Sequence, residues 1–393
     1  MTEEPNPHKW LELWLSEHFD EMVQLRRQIH ANPEVSRQEF KTTALIVERL
    51  TALGLRPEVL PVGTGVLCEI GEGETAVALR ADIDALPVAD LKDVPYRSTV
   101  DGACHACGHD VHTTILLGTA AALAAAPDLP GRVRLIFQPA EENFLNPGAP
   151  DVVAAGGLKD VSSIFAVHCD PRLETGKVGL RVGPITAAAD QVNVELYSAG
   201  GHTARPHLTG DLVYALGRVI TEVPGLLSRA VDPRAGLSLV WGEVRAGHAV
   251  NVIPQFGRLG GTIRTLDKDA WEAAPELVER LIFETLASSG VTAKVHYSHC
   301  MPPVVNDAKA IDIVRGALIG GMGSGAISDT PQSLGGEDFA WYLENAQGAL
   351  LRLGVKRDGE PVRDLHQGAF DVDERAIAVG IQLFVDTVYQ AYA

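Results

Sequence analysis

Several features that mark secreted, membrane-spanning or disulfide-rich proteins are missing from this sequence. The first ten residues, MTEEPNPHKW, lack a basic start followed by an apolar stretch, so we expect no signal peptide. The longest apolar run, from Ile115 to Ala126, is too short to span a bilayer. Only five cysteines occur in 393 residues, an odd and sparse set that is typical of reduced thiols. We therefore expect a cytoplasmic protein that does not cross a membrane.

An excess of positive charge is also missing, and so are the usual nucleotide-binding motifs. The formal net charge is -18, and a surface of this sign repels phosphate backbones, which argues against a nucleic-acid partner. No GxGxxG motif follows the first predicted strand, and no Walker-type loop occurs, which argues against a nucleotide-binding module. Apolar residues make up 46% and charged residues 21%, as in ordinary globular proteins.

The spacing of apolar residues predicts an α/β layer structure. Helical spacing runs from Trp10 to Ile29 and from Gln38 to Leu53, and the second of these helices ends at Gly54. A third helix, rich in alanine and leucine, is predicted from about residue 111 to 126. Short apolar strands are predicted at about 65–70, 76–81, 133–138 and 164–168. This alternation is typical of a mixed, mostly parallel central sheet.

The middle of the chain has a different order of elements. From residue 187 to 297 the predicted order is βαββαβ, which is the ferredoxin-like arrangement. A chain of 393 residues is also long for a single core. We therefore predict a main domain of residues 1–186 and 298–393, with residues 187–297 as an inserted domain.

The densest cluster of chemically reactive side chains lies between Asp101 and His112, in DGACHACGHDVH. Thiolate and imidazole are strong ligands for zinc and similar ions. Cys107 and His109 are separated by Gly108, and residues two apart in an extended loop can point to the same side. A polar loop with incidental histidines is the alternative, but this concentration favours a metal site.

A second candidate is the pair of carboxylates in QPAEE, residues 138–142. The motif follows a predicted strand that ends at Phe137, and ligands bind at the carboxyl ends of strands in α/β sheets. One carboxylate could bind metal, while the other takes a proton from a metal-bound water. A pair of adjacent glutamates can equally be solvated surface, so the motif alone leaves the choice open.

Single histidines near these motifs are ambiguous. His168 ends a predicted strand and could share the edge with Glu141 and Glu142, although a lone histidine there can be structural. His366, in DLHQG, is ambiguous in the same way. The motif GGHTARPH, residues 200–207, follows a strand and is either an ordinary turn or a loop in which glycines let His202 approach a ligand.

Taken together and in order, these motifs resemble the M20 metallopeptidase and amidohydrolase family, in the branch of aminoacylases, hippurate hydrolases and auxin-conjugate hydrolases. HACGHDVH together with QPAEE is highly specific for this branch. The segments that carry the resemblance are LRADIDALPV (79–88), HACGHDVH (105–112), QPAEE (138–142), GGHTARPH (200–207), NVIP (251–254), GTIR (261–264) and GGEDFA (335–340).

The resemblance implies a catalytic domain with two divalent metal ions and an inserted lid domain that also makes a homodimer contact. It implies Glu141 as general base, and His202, often from the neighbouring subunit, as a donor to the reacting carbonyl oxygen. Asn251 and Arg264 match residues that contact the substrate, in the case of Arg264 through a carboxylate. The matching metal ligands are Cys107, His109, Glu142, His168 and His366.

The sequence departs from the wider family at one position. Arg80-Ala-Asp82 stands where many members carry His-x-Asp, so we expect Asp82 to support the ligands without binding metal itself. The implied reaction is hydrolysis of the amide bond of a small N-acyl amino acid. A dipeptidase or aminopeptidase of the same fold and a non-catalytic metal-binding protein are the alternatives. The ligand types suit zinc, manganese, cobalt or nickel.

Overall fold

A computed structural model describes residues 9–393, which divide into two compact units. The first unit comprises the described residues up to Gly183, together with Val305–Pro331 and Trp341–Ala393. The second unit comprises Pro184–Val304 and Gln332–Ala340. The boundaries expected at residues 187 and 297 lie within the second unit. The chain also returns to this unit at residues 332–340, a segment that the sequence analysis placed in the main domain.

The helices follow the predicted positions closely. The first helix was expected from Trp10 to Ile29 and the third from about residue 111, and their observed bounds differ by only a few residues. No helix within residues 9–393 combines the length and apolar character that a membrane crossing requires. In chain order the α-helices of this part are α1 (Lys9–Ala31), α2 (Phe40–Ala52), α3 (His109–Ala124), α4 (Ala149–Ala154), α5 (Leu212–Ala230), α6 (Lys268–Leu286), α7 (Ala308–Gly321), α8 (Ala340–Leu343) and α9 (Ala376–Tyr392).

The strands predicted at 65–70, 76–81 and 133–138 are found close to their expected limits, and the strand expected at 164–168 is much longer. The strands within residues 9–393 also include several short ones that were not predicted. In chain order they are β1 (Glu58–Val59), β2 (Val66–Ile70), β3 (Ala76–Asp82), β4 (Arg132–Gln138), β5 (Val161–Glu174), β6 (Val178–Leu180), β7 (Gly183–Thr186), β8 (Ala188–Tyr197), β9 (Gly201–His202), β10 (Ser238–Ala246), β11 (Val252–Ile253), β12 (Phe256–Thr265), β13 (Thr292–Met301), β14 (Val304–Asn306), β15 (Ile327–Asp329) and β16 (Gln347–Lys356).

The first unit contains a mixed sheet with the strand order β1-β2-β4-β3-β5-β16-β6-β15. Its centre is parallel, because β3 pairs in parallel with β4 and β5, and β16 pairs in parallel with β5. Its flanks contain antiparallel pairs, β2 with β4 and β6 with β16. The predicted mixed α/β sheet is therefore confirmed. At the carboxyl ends of β3 and β4, Asp82 is the last residue of β3 and the QPAEE motif begins at the last residue of β4. His168 was expected to end its strand, but it lies inside β5, which continues to Glu174.

Close helix packing at one face of this sheet depends on two glycines. A Cβ atom at Gly118 of α3 would lie 2.4 Å from Ile381 Cδ1, and one at Gly380 of α9 would lie 2.3 Å from Ile115 Cδ1. Each glycine therefore makes room for an isoleucine of the other helix. The two isoleucines belong to a single buried cluster with Leu25 of α1, which places three helices on one apolar core.

The second unit is built around an antiparallel sheet with the strand order β10-β12-β8-β13. Along the chain the elements run β8, α5, β10, β12, α6 and β13, which is the ferredoxin-like order that the sequence predicts. Alternate residues of β8, such as Val192, Val194 and Leu196, are buried against α5 and α6 in a separate apolar core.

A buried ion-pair network ties α1 to α3 and to the loop before α9. Arg26 is fully buried, and its Nε donates to Asp110 Oδ2 at 2.6 Å. Its other nitrogens reach Asp371 at 3.2 Å and Glu374 at 3.3 Å. His30 Nδ1 lies 2.7 Å from the same oxygen of Asp110. Burial acts against the charge on Asp110, but Arg26 and His30 outweigh it and hold the pKa of that carboxyl well below its usual range.

Replacing Arg26 by methionine should lower the free energy of unfolding by about 3–5 kcal/mol, because it leaves buried carboxylates without their cation. Chemical denaturation followed by far-UV circular dichroism measures the change. Arg280→Met removes an exposed pair with Glu284 at 3.1 Å and serves as the matched control. We expect its effect to stay within about 1 kcal/mol. Equal stabilities of the two variants would contradict a structural role for the network.

Candidate metal centre

The loop before α3 brings Cys107 and His109 to the carboxyl edge of the sheet. Gly108 lies between them with φ 90°, a left-handed conformation that favours glycine. A Cβ atom at this position would lie 2.8 Å from Cys169 Sγ, so no larger residue fits. The helix begins directly afterwards at His109. The tight turn at Gly108 therefore places the thiol of Cys107 and the imidazole of His109 close together, one on each side of the glycine.

A hydrogen bond from Nδ1 orients the ring of His109, and Nε2 is left to face a possible metal ion. Its Nδ1 lies 2.9 Å from the main-chain oxygen of Asp84 and donates to it. Its buried Nε2 has no hydrogen-bond partner and faces Asp82 Oδ2 at 3.8 Å, Glu141 Oε2 at 3.8 Å and Glu142 Oε1 at 3.9 Å. Burial acts against a charged ring, but Asp82 and Asp84 outweigh it and raise the pKa of His109 to about 10. This is a position that strongly attracts positive charge.

His168 lies on β5 and faces the thiol. Its Nδ1 lies 2.8 Å from the oxygen of Cys169 and its Nε2 lies 3.4 Å from Cys107 Sγ. Burial, followed by the charge of Arg352, holds the pKa of His168 well below its usual range, so the ring is neutral. Burial, followed by the two glutamates of QPAEE, raises the pKa of Cys107. A bound cation reverses this effect, because a coordinating thiol is deprotonated.

Glu142 and His366 complete the predicted ligand set. His366 Nε2 lies 3.3 Å from Glu142 Oε1, and that oxygen is buried without a hydrogen-bond partner. The backbone of His366 has a φ of 61°, and its N–H donates to the oxygen of Ala106 at 2.8 Å, which ties this loop to the thiol loop. We call Cys107, His109, Glu142, His168 and His366 the ligand cluster.

The ligand cluster fits metal ions in two overlapping groups. Ligand atoms of Cys107, His109 and His168 all lie within 4.8 Å of one another, and so do those of Cys107, Glu142 and His366. Thiolate, imidazole and carboxylate together suit zinc and similar divalent cations. The unpartnered atoms His109 Nε2 and Glu142 Oε1 are the buried lone pairs that such a cation would satisfy.

The turn that carries Glu141 is held by two carboxylates that the sequence analysis did not single out. The backbone N–H of Glu141 donates to Asp84 Oδ1 at 3.1 Å, and that of Glu142 donates to Asp84 Oδ2 at 3.0 Å. The N–H of Ala140, whose φ is 54°, donates to Glu39 Oε1 at 2.8 Å. Asp84 lies two residues after Asp82, a signal that was available in the sequence. Glu39 is about 100 residues away and carried no such signal.

Asp82 is hydrogen-bonded to His112 and to Arg80. Its Oδ1 accepts from His112 Nδ1 at 2.6 Å, and its Oδ2 accepts from Arg80 at 2.5 Å. His112 Nε2 in turn accepts from the backbone N–H of Cys169 at 2.9 Å. The HACGHDVH motif therefore supplies a ligand candidate at His109 and a structural histidine at His112, a distinction that the sequence analysis did not make.

The remaining candidates lie in the second unit. His202 of β9 pairs with Val252 of β11, next to Asn251, and its Nδ1 accepts from the N–H of Ala204 at 3.1 Å. Both His202 and Asn251 are exposed. Arg264 lies on β12 and donates to the oxygen of Leu334 at 2.6 Å. The structure thus gathers the ligand cluster, Glu141 and Asp82 in the first unit and places His202, Asn251 and Arg264 in the second.

Known proteins are similar to this chain over nearly its whole length. N-acetyl-L-cysteine deacetylase of Bacillus subtilis (strain 168) is 37% identical over 380 residues, which cover 96% of this chain and 88% of the relative. A protein of Rhodococcus jostii (strain RHA1) that is named as a glutamate–cysteine ligase is 48% identical over 366 residues, or 93% of this chain. The chain spans 46% of the length of that relative.

A solved structure and a family model extend the comparison. The crystal structure of the YXEP protein of Bacillus subtilis, described as a dinuclear metal binding peptidase, is 34% identical. It superimposes with a TM-score of 0.83, over 96% of this chain and 99% of that one. The model of Peptidase family M20/M25/M40 matches residues 78–390. The resemblance drawn from the motifs is therefore confirmed: the chain belongs to Peptidase family M20/M25/M40 and is a hydrolytic enzyme.

Proposed function

We propose that this protein hydrolyses the amide bond of small N-acyl amino acids, with the ligand cluster holding two divalent cations and Glu141 acting as general base. The observation that carries the proposal is that two groups of possible ligands share Cys107. Glu141 lies beside both of them, because it forms a third group with His109 and Glu142. When bound, such cations lower the pKa of a water molecule and polarise the amide carbonyl.

Glu141 is placed to move the proton in this reaction. The residue is only 7% exposed, and its backbone N–H is held by Asp84. We propose that its carboxylate takes the proton of the attacking water and then passes it to the amide nitrogen, because an amine leaves poorly as an anion. Glu39 positions the preceding residue, Ala140, and so helps to hold the base in place.

Residues of the second unit would bind and polarise the substrate. Because Nδ1 of His202 accepts a hydrogen bond from Ala204, a neutral ring carries its proton on Nε2 and can donate it to the carbonyl oxygen. Loss of one such donor typically costs about 2.7–4 kcal/mol in the transition state. Asn251 and Arg264 would contact the substrate, Arg264 through a carboxylate. We also propose that the second unit acts as a lid and forms the contact of a homodimer.

The relatives favour N-acyl amino acids as the substrate class and leave a peptidase as the second candidate. A relative that covers nearly the whole chain is named an N-acetyl-L-cysteine deacetylase, which favours a small acyl group. The YXEP protein is described as a peptidase, which favours cleavage of peptides. The two reactions share one mechanism. They differ in whether the acyl part of the substrate carries a free α-amine, as in a dipeptide, or does not.

Amine release from a panel of substrates tests the function. The panel contains N-acetyl, N-benzoyl and long-chain N-acyl amino acids, N-acetyl-L-cysteine, N-acyl glutamine and free dipeptides, each with added divalent metal or with chelator. We expect metal-dependent release from N-acylated substrates and little from free dipeptides. Preference for free dipeptides would favour the peptidase. No release from any substrate by a folded, metal-loaded protein would leave a non-catalytic metal-binding role.

Replacing Glu141 by glutamine should lower kcat by about a hundred- to ten-thousand-fold, because the water and the leaving amine lose their proton carrier. The metal content should not change, since the ligand cluster is intact; elemental analysis of the purified variant checks this. Glu279→Gln, on an exposed face of α6, is the control and should match the parent. A turnover within a few-fold of the parent would remove Glu141 from the role of base.

If His202 acts across a dimer, two inactive variants should restore each other. Glu141→Gln and His202→Ala are mixed at equal concentration under conditions that exchange subunits. Half of the dimers are then mixed and one of their two sites is intact, so we expect about a quarter of the parent activity. Exchange is verified with differently tagged subunits. Proven exchange without recovered activity would place His202 in the same subunit as its base.

A further inference from the structure

Arg352 lies on the face of the sheet that carries the ligand cluster. It is paired in register with His168, because β16 runs parallel to β5. Residues paired in this way on neighbouring strands point to the same side. Its neighbours Leu351 and Leu353 point the other way and belong to the apolar core under the helices. His168 in turn lies 3.4 Å from Cys107 Sγ. Arg352 therefore leaves the sheet beside the ligand cluster, one strand away.

Arg352 is largely buried, and its charge has no anion partner among residues 9–393. The residue is 9% exposed. Within residues 9–393 no carboxylate forms an ion pair with it, and no oxygen accepts a hydrogen bond from its side chain. Buried charges are normally paired, because their removal from water is costly. The two other large buried arginines follow this rule, since Arg26 pairs with Asp110 and Arg80 with Asp82.

The neighbouring strand packs closely against this side chain. Gly179 of β6 is opposite Arg352, and a Cβ atom there would lie 3.1 Å from Arg352 Cβ and 2.9 Å from Thr330 Cβ. A larger residue at Gly179 would therefore press on both side chains. The base of the Arg352 side chain is therefore closely packed, and only a glycine fits opposite it on β6.

We propose that Arg352 binds a carboxylate of the substrate, in a subsite of the first unit beside His168; this rests on the proposed hydrolysis of N-acyl amino acids. The planar guanidinium offers two parallel donors that match a carboxylate. An N-acyl amino acid carries one such group three bonds from the scissile carbon. Acidic amino acids carry a second carboxylate on the side chain. Arg264, which would hold the α-carboxylate, belongs to the second unit. Arg352 could bind either the α-carboxylate or the side-chain carboxylate, and pairs of matched substrates distinguish the two.

The test compares kcat and KM of the metal-loaded parent, Arg352→Met and Arg352→Lys. Arg280→Met, on the exposed face of α6, is the control. N-acetyl-L-glutamate against N-acetyl-L-glutamine removes only the side-chain carboxylate. N-acetyl-L-methionine against N-acetyl-L-methioninamide removes only the α-carboxylate. Metal content and melting temperature of each variant are measured alongside, so that loss of the fold or of the ligand cluster is recognised.

With Arg352→Met we expect kcat/KM to fall by about ten- to hundred-fold, mainly through KM, and only for substrates that carry the recognised carboxylate. Arg352→Lys keeps the positive charge, so its kcat/KM should fall less than that of Arg352→Met. A fall confined to N-acetyl-L-glutamate assigns the side-chain carboxylate, and a fall for every substrate except the methioninamide assigns the α-carboxylate. Unchanged kinetics, or an equal fall that includes the methioninamide, would overturn the proposal.

A binding measurement separates this proposal from the proposed function. The dissociation constants of glutarate and of glutaramide are measured by calorimetry for the metal-loaded parent and for Arg352→Met. We expect the variant to bind glutarate about ten-fold more weakly and glutaramide equally well. If the parent cleaves no substrate and this difference is found, the hydrolysis fails and the carboxylate site stands. If glutarate binds parent and variant alike, the carboxylate site fails whatever the parent cleaves.

Discussion

The geometry of the ligand cluster depends on the carboxylate of Asp82. This side chain ends β3, accepts a hydrogen bond from His112 of α3, and through that ring holds the backbone N–H of Cys169 on β5. Two parallel strands and the start of a helix are thereby joined at one point. His109 lies one helical turn before His112, and His168 lies directly before Cys169. Both ligands take their positions from groups that Asp82 holds, which is the usual role of a carboxylate behind a metal-binding histidine.

Around this point the protein concentrates more negative than positive charge. Asp82, Asp84, Glu141 and Glu142 approach one imidazole, that of His109, whose pKa is raised to about 10. Buried carboxylates in such numbers are costly unless cations compensate them. Divalent ions between Cys107 and its neighbours would supply that compensation. Binding of metal and stability of this edge of the sheet are therefore expected to be linked.

Much of this arrangement could be predicted from sequence, where the signal is local. Helix α3 and strand β4 follow from apolar spacing, and the ligand candidates Cys107 and His109 lie within three residues of each other. The contacts that depend on long separations could not be predicted. Glu39 meets Ala140, and Arg352 meets His168, only because the sheet brings distant segments together. A single arginine in an apolar strand has no periodicity or motif that would reveal its lack of a partner.

The prediction was least accurate where short segments decide the topology. The three-residue strands β6 and β15, which were not predicted, add a flank to the sheet, and β6 is antiparallel to β16. Residues 332–340 belong to the second unit although their neighbours on both sides belong to the first. Segments of this length carry too little hydrophobic pattern to distinguish a strand from a loop.

The strand order of the sheet also has a consequence for the time at which the site can form. Strands β5 and β16 are neighbours, yet β5 ends at Glu174 and β16 begins at Gln347, with the whole βαββαβ segment between them. A chain that emerges from the ribosome N-terminus first makes Cys107, His109, Glu142 and His168 long before His366. Pairing across such a separation is slow, because the loop must close before its contacts stabilise it. Four of the five ligands are therefore synthesised while the sheet still lacks β16, and the ligand cluster can be completed only when the last part of the chain has been made.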